Sequence, residues 1–144
     1  MLERFEKFTQ SIGLAYKYVG KIKSNHMSAY DLKGSHVMCI FFLGRHPDGL
    51  KATQLCELCQ EDKGAISKTL NTLKKRGLVE SSVGRLRKYR AVYTITEAGL
   101  EVYENVAVGI ENAVKKCGEG LTDEERNTFY SVLDKIIANL GKMM

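Results

Sequence analysis

The fold of this chain is decided by residues 62–80, DKGAISKTLNTLKKRGLVE. Asp62 is a good N-cap, because its carboxylate can accept hydrogen bonds from the free backbone N–H groups of a first helical turn. The next aliphatic residues recur at i, i+4 and i+7 and so share one face: Ile66, Leu70 and Leu73. The other face is polar and cationic, with Gly64, Ser67, Lys68, Asn71 and Lys75. Gly77 stops the pattern, so the segment predicts a short amphipathic helix.

A helix of this kind has two interpretations. It is either an ordinary surface helix with a solvated basic face, or a helix whose Ser, Lys and Asn side chains bind base edges and phosphates. Basic helical faces are common, so the segment alone favours the first interpretation. The flanking sequence changes that balance.

The segments on either side of residues 62–80 predict a winged helix. Thr53–Glu61 has the pattern of another short helix, and two short helices with a tight connection form a helix-turn-helix. After Gly77 the pattern changes to period two, in Val79–Val83 and again in Tyr89–Ile95, around the basic tip Gly84–Lys88. Such alternation predicts a β-hairpin. A hairpin directly after a helix-turn-helix is a wing.

Longer helical patterns surround this lobe. Apolar residues recur at helical spacing in Leu2–Lys23, Leu32–Arg45 and Thr96–Lys116, with a polar loop over Asn25–Asp31. A last helix starts near a capping box formed by Thr122 and Glu125. We therefore expect an α+β fold, mostly α, in which a winged helix-turn-helix lobe (31–96) lies between long terminal dimerisation helices (1–30 and 97–144). The whole chain, 1–144, is then a single domain.

The positive charge of the chain is concentrated in one fifth of its length. Residues 62–90 hold nine Lys and Arg against two Asp and Glu, a net charge of +7, whereas the 144-residue chain carries +5 in total. The rest of the chain is thus slightly acidic. A cluster of this kind is what a polyanion partner requires, and it favours nucleic acid over a protein-interaction module.

Several other classes find no support in the sequence. The longest apolar run, Val37–Leu43, is too short to span a membrane, and the N-terminus lacks the apolar core of a signal peptide. We therefore expect a cytoplasmic protein with reduced thiols. No glycine-rich phosphate loop, nucleophile motif or strong ligand cluster is present, so we expect neither an enzyme nor a bound cofactor or metal. A zinc site at His26 and His36 is unsupported by spacing.

Three strings of this chain resemble the MarR family of bacterial transcription regulators. RHPDGLKATQLCELCQEDKGAISKTLNTLKKRGLVE (45–80) is similar to the family's helix-turn-helix with its flanks. TITEAG (94–99) is similar to the signature that follows the wing, and GLTDEER (120–126) to the start of the last helix. The resemblance covers nearly the whole chain.

The resemblance implies a homodimeric regulator, for which repression is the expected role, that binds double-stranded DNA at a pseudo-palindromic operator. The apolar stripes of the terminal helices are an independent reason to expect a dimer, since a partner subunit would cover them. We expect the recognition helix to contact DNA through Lys63, Ser67, Lys68, Asn71, Thr72 and Lys75. We expect the wing to contact DNA through Arg85, Arg87, Lys88 and Arg90.

The tip of the wing departs from the family pattern. Family wings usually carry Asp-x-Arg there, and in the ungapped register counted back from TITEAG those positions are Gly84 and Leu86. Arg85, Arg87 and Lys88 are the candidate replacements for the arginine. Which of them enters the minor groove stays open.

The resemblance also implies a small aromatic effector that modulates DNA affinity. Such effectors commonly bind between the dimer helices and the DNA-binding lobe in this family. The candidate pocket residues of this chain are Tyr16, Tyr30, His36 and Tyr103. The alternative is that these side chains only pack in the core or in the dimer interface.

The four cysteines leave an alternative kind of regulator open. Cys56 and Cys59 have the C-x-x-C spacing of metal and redox motifs, but they lie on a short helix without a second pair. The resemblance places both at buried positions, so packing is the favoured interpretation, as it is for Cys39, whereas Cys117 is expected to be exposed. A thiol-based redox regulator or a metal-responsive regulator of the same fold remains the alternative. A thiol oxidoreductase would need a lowered thiol pKa, which burial opposes.

Overall fold

Six helices and three short strands follow one another along residues 1–82 and 91–144, the part of the chain that this computed structural model describes. The elements in chain order are α1 (Leu2–Ser28), α2 (His36–Arg45), β1 (Leu50–Lys51), α3 (Ala52–Cys59), α4 (Lys63–Lys75), β2 (Val79–Ser81), β3 (Val92–Ile95), α5 (Glu97–Cys117) and α6 (Asp123–Gly141). This order is that of a winged helix-turn-helix between long helices, which confirms the predicted fold class.

The sheet is antiparallel and has the strand order β1-β3-β2. In its register, Leu50 lies opposite Tyr93, and Val79 lies opposite Ile95. Strand β1 was not predicted, because two residues are too few to show an alternating pattern. It follows a turn at residues 46–49, in which the N–H of Gly49 donates to the carbonyl of His46 at 2.8 Å.

The helix-turn-helix is closed by local side-chain caps. The backbone N–H of Lys51 donates to Oε1 of Gln54 at 2.8 Å, so α3 begins before Thr53, where the sequence pattern had placed its start. At the end of α3, Gln60 adopts the left-handed conformation with φ +54°. Asp62 then caps α4 by accepting from the N–H of Ala65 at 2.8 Å, as predicted.

The connection between α1 and α2 differs from the predicted one. Helix α1 continues to Ser28, although Asn25–Asp31 was predicted as a loop, because Met27 is fully buried and holds the last turn against the lobe. Helix α2 begins at His36 instead of Leu32. The cause is a local bond: the N–H of Lys33 donates to Nδ1 of His36 at 2.8 Å and holds residues 33–36 in a turn.

The core of the lobe lies between α2, α3 and α4. The apolar stripe of α4 is buried there as predicted, with Ile66 and Leu70 each 2% exposed and Leu73 0% exposed. These side chains share the core with Leu55 of α3 and with the α2 residues Ile40 and Leu43. Burial of this stripe turns the polar side of α4 outward.

The chain forms two compact units, Met1–Gly109 and Ile110–Met144, and the boundary lies within α5. The second unit contains α6, whose predicted capping box is confirmed: Thr122 and Glu125 each accept a hydrogen bond from the other's backbone N–H. Helix α6 has no buried residue. Within residues 1–82 and 91–144, no helix is both long enough and apolar enough to cross a membrane.

Candidate nucleic-acid interface

The outer face of α4 carries the polar residues that the sequence pattern assigned to it. Because Ile66, Thr69, Leu70 and Leu73 are turned inward, the remaining positions lie along one exposed side of the helix. Five of the six predicted contact residues are exposed: Lys63, Ser67, Lys68, Asn71 and Lys75. Three ammonium groups, one hydroxyl and one amide thus share a surface that offers donors to phosphates and both donors and acceptors to base edges.

The sixth predicted residue, Thr72, is less available than the others. It is half-buried, and its hydroxyl donates to the carbonyl of Lys68 at 3.1 Å. Its oxygen can still accept a hydrogen bond, but its proton is already used within the helix. The structure therefore places Thr72 at the edge of the exposed face.

Two basic residues at the end of α4 differ in their surroundings: one is exposed on the outer face, and the other is paired with an acidic residue. Lys74, which the sequence reasoning had left out, is exposed and lies three residues after Asn71, a spacing that puts it on the same side of the helix. Arg76 is bound elsewhere: its Nη2 lies 2.6 Å from Oδ2 of Asp31 and 3.1 Å from the Asp31 carbonyl. The charge of Arg76 thus fixes the end of α4 to the α1–α2 connection.

Thr96 holds the end of α4 to the start of α5. Its hydroxyl donates to the carbonyl of Gly77 at 2.7 Å and accepts from the N–H of Gly99 at 3.1 Å. Gly99 lies so close to the carbonyl of Leu78 that a Cβ at this position would clash with it. These contacts give the threonine and the glycine of the TITEAG string a structural role, namely to fix α4 and β2 relative to the long helix α5.

The four predicted wing residues, Arg85, Arg87, Lys88 and Arg90, lie outside the described residues. The base of the hairpin is described. Ser82 and Val92 pair there through two hydrogen bonds, since the N–H of Ser82 donates to the Val92 carbonyl at 2.9 Å and the N–H of Val92 donates to the Ser82 hydroxyl at 3.1 Å. This pairing extends the contact between β2 and β3 beyond Ser81.

Within the part of the chain that the structure describes, the candidate effector residues Tyr16 and His36 line two different cavities. Tyr16 lines a cavity of about 260 Å³, and His36 lines a different cavity of about 450 Å³. Neither lining includes Tyr30 or Tyr103. The ring of Tyr103 instead packs on Phe41, at 6.3 Å between centroids, and against Gly44. Tyr103 of α5 therefore packs against α2.

The larger cavity lies directly beside the exposed face of α4. Its lining comes from three segments of the lobe and includes charged, polar and apolar residues: Asp31, Lys33, Ser35, His36, Glu61, Ala65, Ile66, Lys68, Thr69, Thr72 and Arg76. His36 is 5% exposed, and burial lowers the pKa of its imidazole, an effect that Lys33 and Arg76 reinforce and a hydrogen bond with the Lys33 backbone opposes. Nδ1 lies 2.8 Å from the Lys33 nitrogen and 3.0 Å from the Lys33 carbonyl oxygen. The lowered pKa favours the neutral ring at neutral pH, and a neutral ring with an unprotonated Nδ1 accepts from the Lys33 N–H.

The cysteines are partly where the sequence reasoning placed them. Cys39 is buried and Cys117 is exposed, as expected, but Cys56 and Cys59 are only half-buried. Their helix turns them toward the rim of the core, whereas the resemblance had implied full burial. Cys39 and Cys59 are in contact, with 3.8 Å between the two sulfurs. Among residues 1–82 and 91–144, no three His, Cys, Asp or Glu side chains are arranged to hold a metal ion.

Comparison with known proteins gives consistent matches. A sequence model of the MarR family matches residues 30–88, which include the whole helix-turn-helix. The chain is 27% identical over 146 aligned positions to the HTH-type transcriptional regulator PetP of Rhodobacter capsulatus. That alignment covers 99% of this chain and 87% of PetP.

Solved structures share the fold at lower sequence identity. The MepR–DNA complex of S. aureus superposes with a TM-score of 0.82 at 16% identity, over 92% of this chain and 96% of MepR. Staphylococcus aureus MarR in complex with salicylate and kanamycin superposes with a TM-score of 0.82 at 16% identity, over 99% and 95% of the two chains. At these identities the superpositions establish the fold.

Proposed function

Because this chain belongs to the MarR family of transcriptional regulators, we propose that it binds double-stranded DNA as a homodimer and represses transcription from a pseudo-palindromic operator. The observation that carries the proposal is the exposed face of α4. It presents Lys63, Lys68 and Lys75 around Ser67 and Asn71, on a helix whose other side is buried and capped. The lysines bind phosphates, and Ser67 and Asn71 contact base edges.

The two ends of the chain support the dimer. Large apolar side chains are exposed on α1, where Phe5 is 66% exposed, and on α6, where Phe129 is 58% exposed and Ile137 57% exposed. Apolar surface of this extent on two helices is stabilised by burial against another subunit. In the dimer, two α4 helices enter major grooves about one DNA turn apart, roughly 34 Å. Sedimentation of the free protein at micromolar concentration should therefore give twice the mass of the chain.

The DNA-binding experiment compares two double variants of equal charge. Lys68→Ala/Lys75→Ala removes two lysines from the exposed face of α4, and Lys135→Ala/Lys142→Ala removes two exposed lysines from the C-terminal segment. Affinity for a random duplex is measured by fluorescence anisotropy over a range of salt concentrations. Each lost phosphate contact should lower the log–log salt slope by roughly 0.9, so the first variant should lose up to about 1.8 per subunit and the second should keep the wild-type slope.

The result can contradict the proposal in two ways. If wild-type protein has no affinity for duplex DNA at low salt, the winged helix is a protein-interaction module. If Lys68→Ala/Lys75→Ala binds like the wild type, α4 is not the recognition helix. Where the wild type binds, Lys135→Ala/Lys142→Ala shows whether the loss of two charges alone changes the salt slope.

We further propose that a small aromatic acid bound in the 450 Å³ cavity weakens DNA binding. The cavity shares Lys68 and Thr72 with the face proposed to contact DNA, so a bound carboxylate would compete for the Lys68 ammonium. The salicylate-bound S. aureus relative supports this ligand class. Millimolar salicylate should release the duplex, whereas the neutral analogue salicylamide should not. Equal release by both compounds, or by neither, would contradict an anion site at this position.

A further inference from the structure

Cys39 and Cys59 form a thiol pair outside the face of α4 that is proposed to contact DNA. Cys39 lies within α2 and is 1% exposed, and Cys59 is the last residue of α3. Their sulfurs are 3.8 Å apart, although 20 residues separate them in the chain. A disulfide needs about 2.05 Å between sulfurs, so these two are within ~1.8 Å of bonding.

The two thiols differ in their access to solvent. Cys59 lines the 260 Å³ cavity together with Tyr16, Lys23 and Glu61. Cys39 is not part of that lining and stays behind Cys59, inside the core. A small oxidant in the cavity therefore meets Cys59 first, and Cys39 contacts the Cys59 sulfur from the buried side.

The electrostatic environment favours the same order of reaction. A hydrogen bond from Cys39 lowers the pKa of the Cys59 thiol, and the nearby charge of Lys23 lowers it as well, against the opposing effects of burial and Glu61. The pKa of Cys39 is raised, by its role as the donor in that bond and by burial. The thiolate is the reactive form of cysteine, so Cys59 is the nucleophile and Cys39 is the resolving thiol.

We propose that Cys59 is a modification site for hydroperoxides and that Cys39 resolves it to an intramolecular Cys39–Cys59 disulfide. In the first step the Cys59 sulfur attacks the terminal oxygen of the hydroperoxide: an S–O bond forms, the O–O bond breaks, and the alkoxide takes the thiol proton and leaves as an alcohol. In the second step the Cys39 sulfur attacks Cys59, the S–S bond forms, and hydroxide leaves with the Cys39 proton as water. Two thiols lose two electrons, and the hydroperoxide gains them.

The position of the disulfide couples it to the proposed recognition helix. Cys59 is followed by Gln60 in the left-handed conformation and by Asp62, the N-cap of α4. Closing the gap of ~1.8 Å between the sulfurs draws the end of α3 toward α2 and moves the start of α4 with it. We expect the oxidised protein to bind duplex DNA about tenfold more weakly, a coupling in the usual range for switches. This effect on affinity, unlike the disulfide itself, rests on the proposed function.

The chemical experiment maps the disulfide in the wild-type protein. The reduced dimer is treated with one equivalent of cumene hydroperoxide per thiol pair, alkylated, and digested with trypsin and a glutamate-specific protease without reduction. Cleavage after Glu57 separates Cys56 from Cys59, which trypsin alone would leave in one peptide. The expected product joins residues 34–45 to residues 58–61. A link through Cys56 or Cys117, or Cys59 oxidised to the sulfinic acid without a link, would overturn the proposal.

Three variants separate the roles of the cysteines. Cys59→Ser should abolish the link, and Cys39→Ala should leave a Cys59 sulfenic acid that dimedone traps. Cys56→Ser is the matched control, because it changes the neighbouring half-buried thiol of the same helix, and it should still form the link. If Cys56→Ser blocks the link while Cys59→Ser does not, the nucleophile is misassigned and the proposal fails.

The regulatory step is tested by the duplex affinity of the reduced, oxidised and re-reduced protein. The expected result is a weaker oxidised form, full recovery with dithiothreitol, and no response in Cys59→Ser. If the mapped disulfide forms and affinity does not change, the coupling to α4 is wrong. If the reduced protein binds no DNA while the disulfide still forms, the proposed function fails and the modification site stands.

Discussion

The DNA-binding lobe and the terminal helices α1 and α6 carry apolar stripes at helical spacing, but the lobe buries its stripe, whereas these two helices leave large apolar side chains exposed. Leu70 and Leu73 of α4 are 2% and 0% exposed, whereas Phe5 of α1 and Phe129 of α6 are 66% and 58% exposed. One subunit is therefore sufficient to shape the face proposed to contact DNA. In the proposed dimer, a second subunit covers the exposed stripes of α1 and α6, and these helices set the spacing between two such faces.

The largest expected effect is on the free energy of unfolding, and two leucine-to-alanine variants, one in the lobe core and one on α6, test this difference. Leu73→Ala leaves a cavity in the lobe core and should lower the free energy of unfolding by about 2–5 kcal/mol at any protein concentration. Leu140→Ala truncates a side chain that is 48% exposed on α6, so its cost should appear only where the protein is dimeric. The free energy of unfolding of both variants is measured by urea denaturation at two protein concentrations. If Leu140→Ala is equally costly in the dilute monomer, α6 is completed within one chain.

A smaller effect on stability is expected at Thr96, where the DNA-binding lobe joins the long helix α5. Thr96 connects the end of α4 to the first turn of α5 through its bonds with Gly77 and Gly99. Thr96→Val keeps the shape but removes the helix cap and the donor to the Gly77 carbonyl, and should cost about 1–2 kcal/mol of stability. Thr53→Val is the matched control, because Thr53 is exposed and has no such role. Equal effects of the two variants in thermal unfolding would show that Thr96 does not hold this junction.

Local patterns explain how much of the site could be predicted from the sequence. The cap at Asp62, the buried stripe of α4 and the stop at Gly77 each depend on residues within one or two helical turns, and the structure has all three. The exposed positions of Ser67 and Asn71 follow from the same periodicity. Side chains whose partners are near in the chain are therefore placed correctly by pattern alone.

The sequence patterns did not predict contacts between residues that are far apart in the chain. Arg76 was counted among the charges available to a polyanion, but its partner Asp31 lies 45 residues earlier. The contact between Cys39 and Cys59 spans 20 residues, and spacing had drawn attention to Cys56 and Cys59 instead. Strand β1 exists only because it pairs with β3, where Val92 lies opposite Lys51 and is 41 residues later in the chain. No periodicity encodes these contacts, because they form only when the lobe is assembled.

The bond between Arg76 and Asp31 predicts a weak effect on stability and almost none on DNA binding. The two side chains are 46% and 88% exposed, so solvent screens the pair and Arg76→Ala should cost about 0.2–1 kcal/mol. Because Arg76 is already bound, the variant should keep the salt slope of DNA binding, whereas Lys75→Ala, one position earlier, should lower it by roughly 0.9. If Arg76→Ala lowers the slope as much as Lys75→Ala does, Arg76 leaves Asp31 to bind phosphate.

The smallest expected effect is a pH dependence of the free energy of unfolding that comes from His36, at the edge of the lobe core. Burial lowers the pKa of His36 below its unfolded value of about 6.5, so between the two values the folded state binds fewer protons than the unfolded state. The stability that neutral His36 contributes is therefore fully present above the unfolded pKa and is lost as the pH falls below it. His36→Asn keeps an acceptor for the Lys33 N–H but cannot be protonated.

The measurement is the free energy of unfolding of wild type and His36→Asn at pH 8 and pH 5.5. Acid should destabilise the wild type more than the variant, because other groups titrate equally in both and cancel in the difference. A larger loss in the variant would mean that His36 is charged in the folded state, held by Asp31 or Glu61 at the rim of its cavity. The environment of His36 would then be accessible to solvent, like the exposed faces of the terminal helices, and not like the buried core of the lobe.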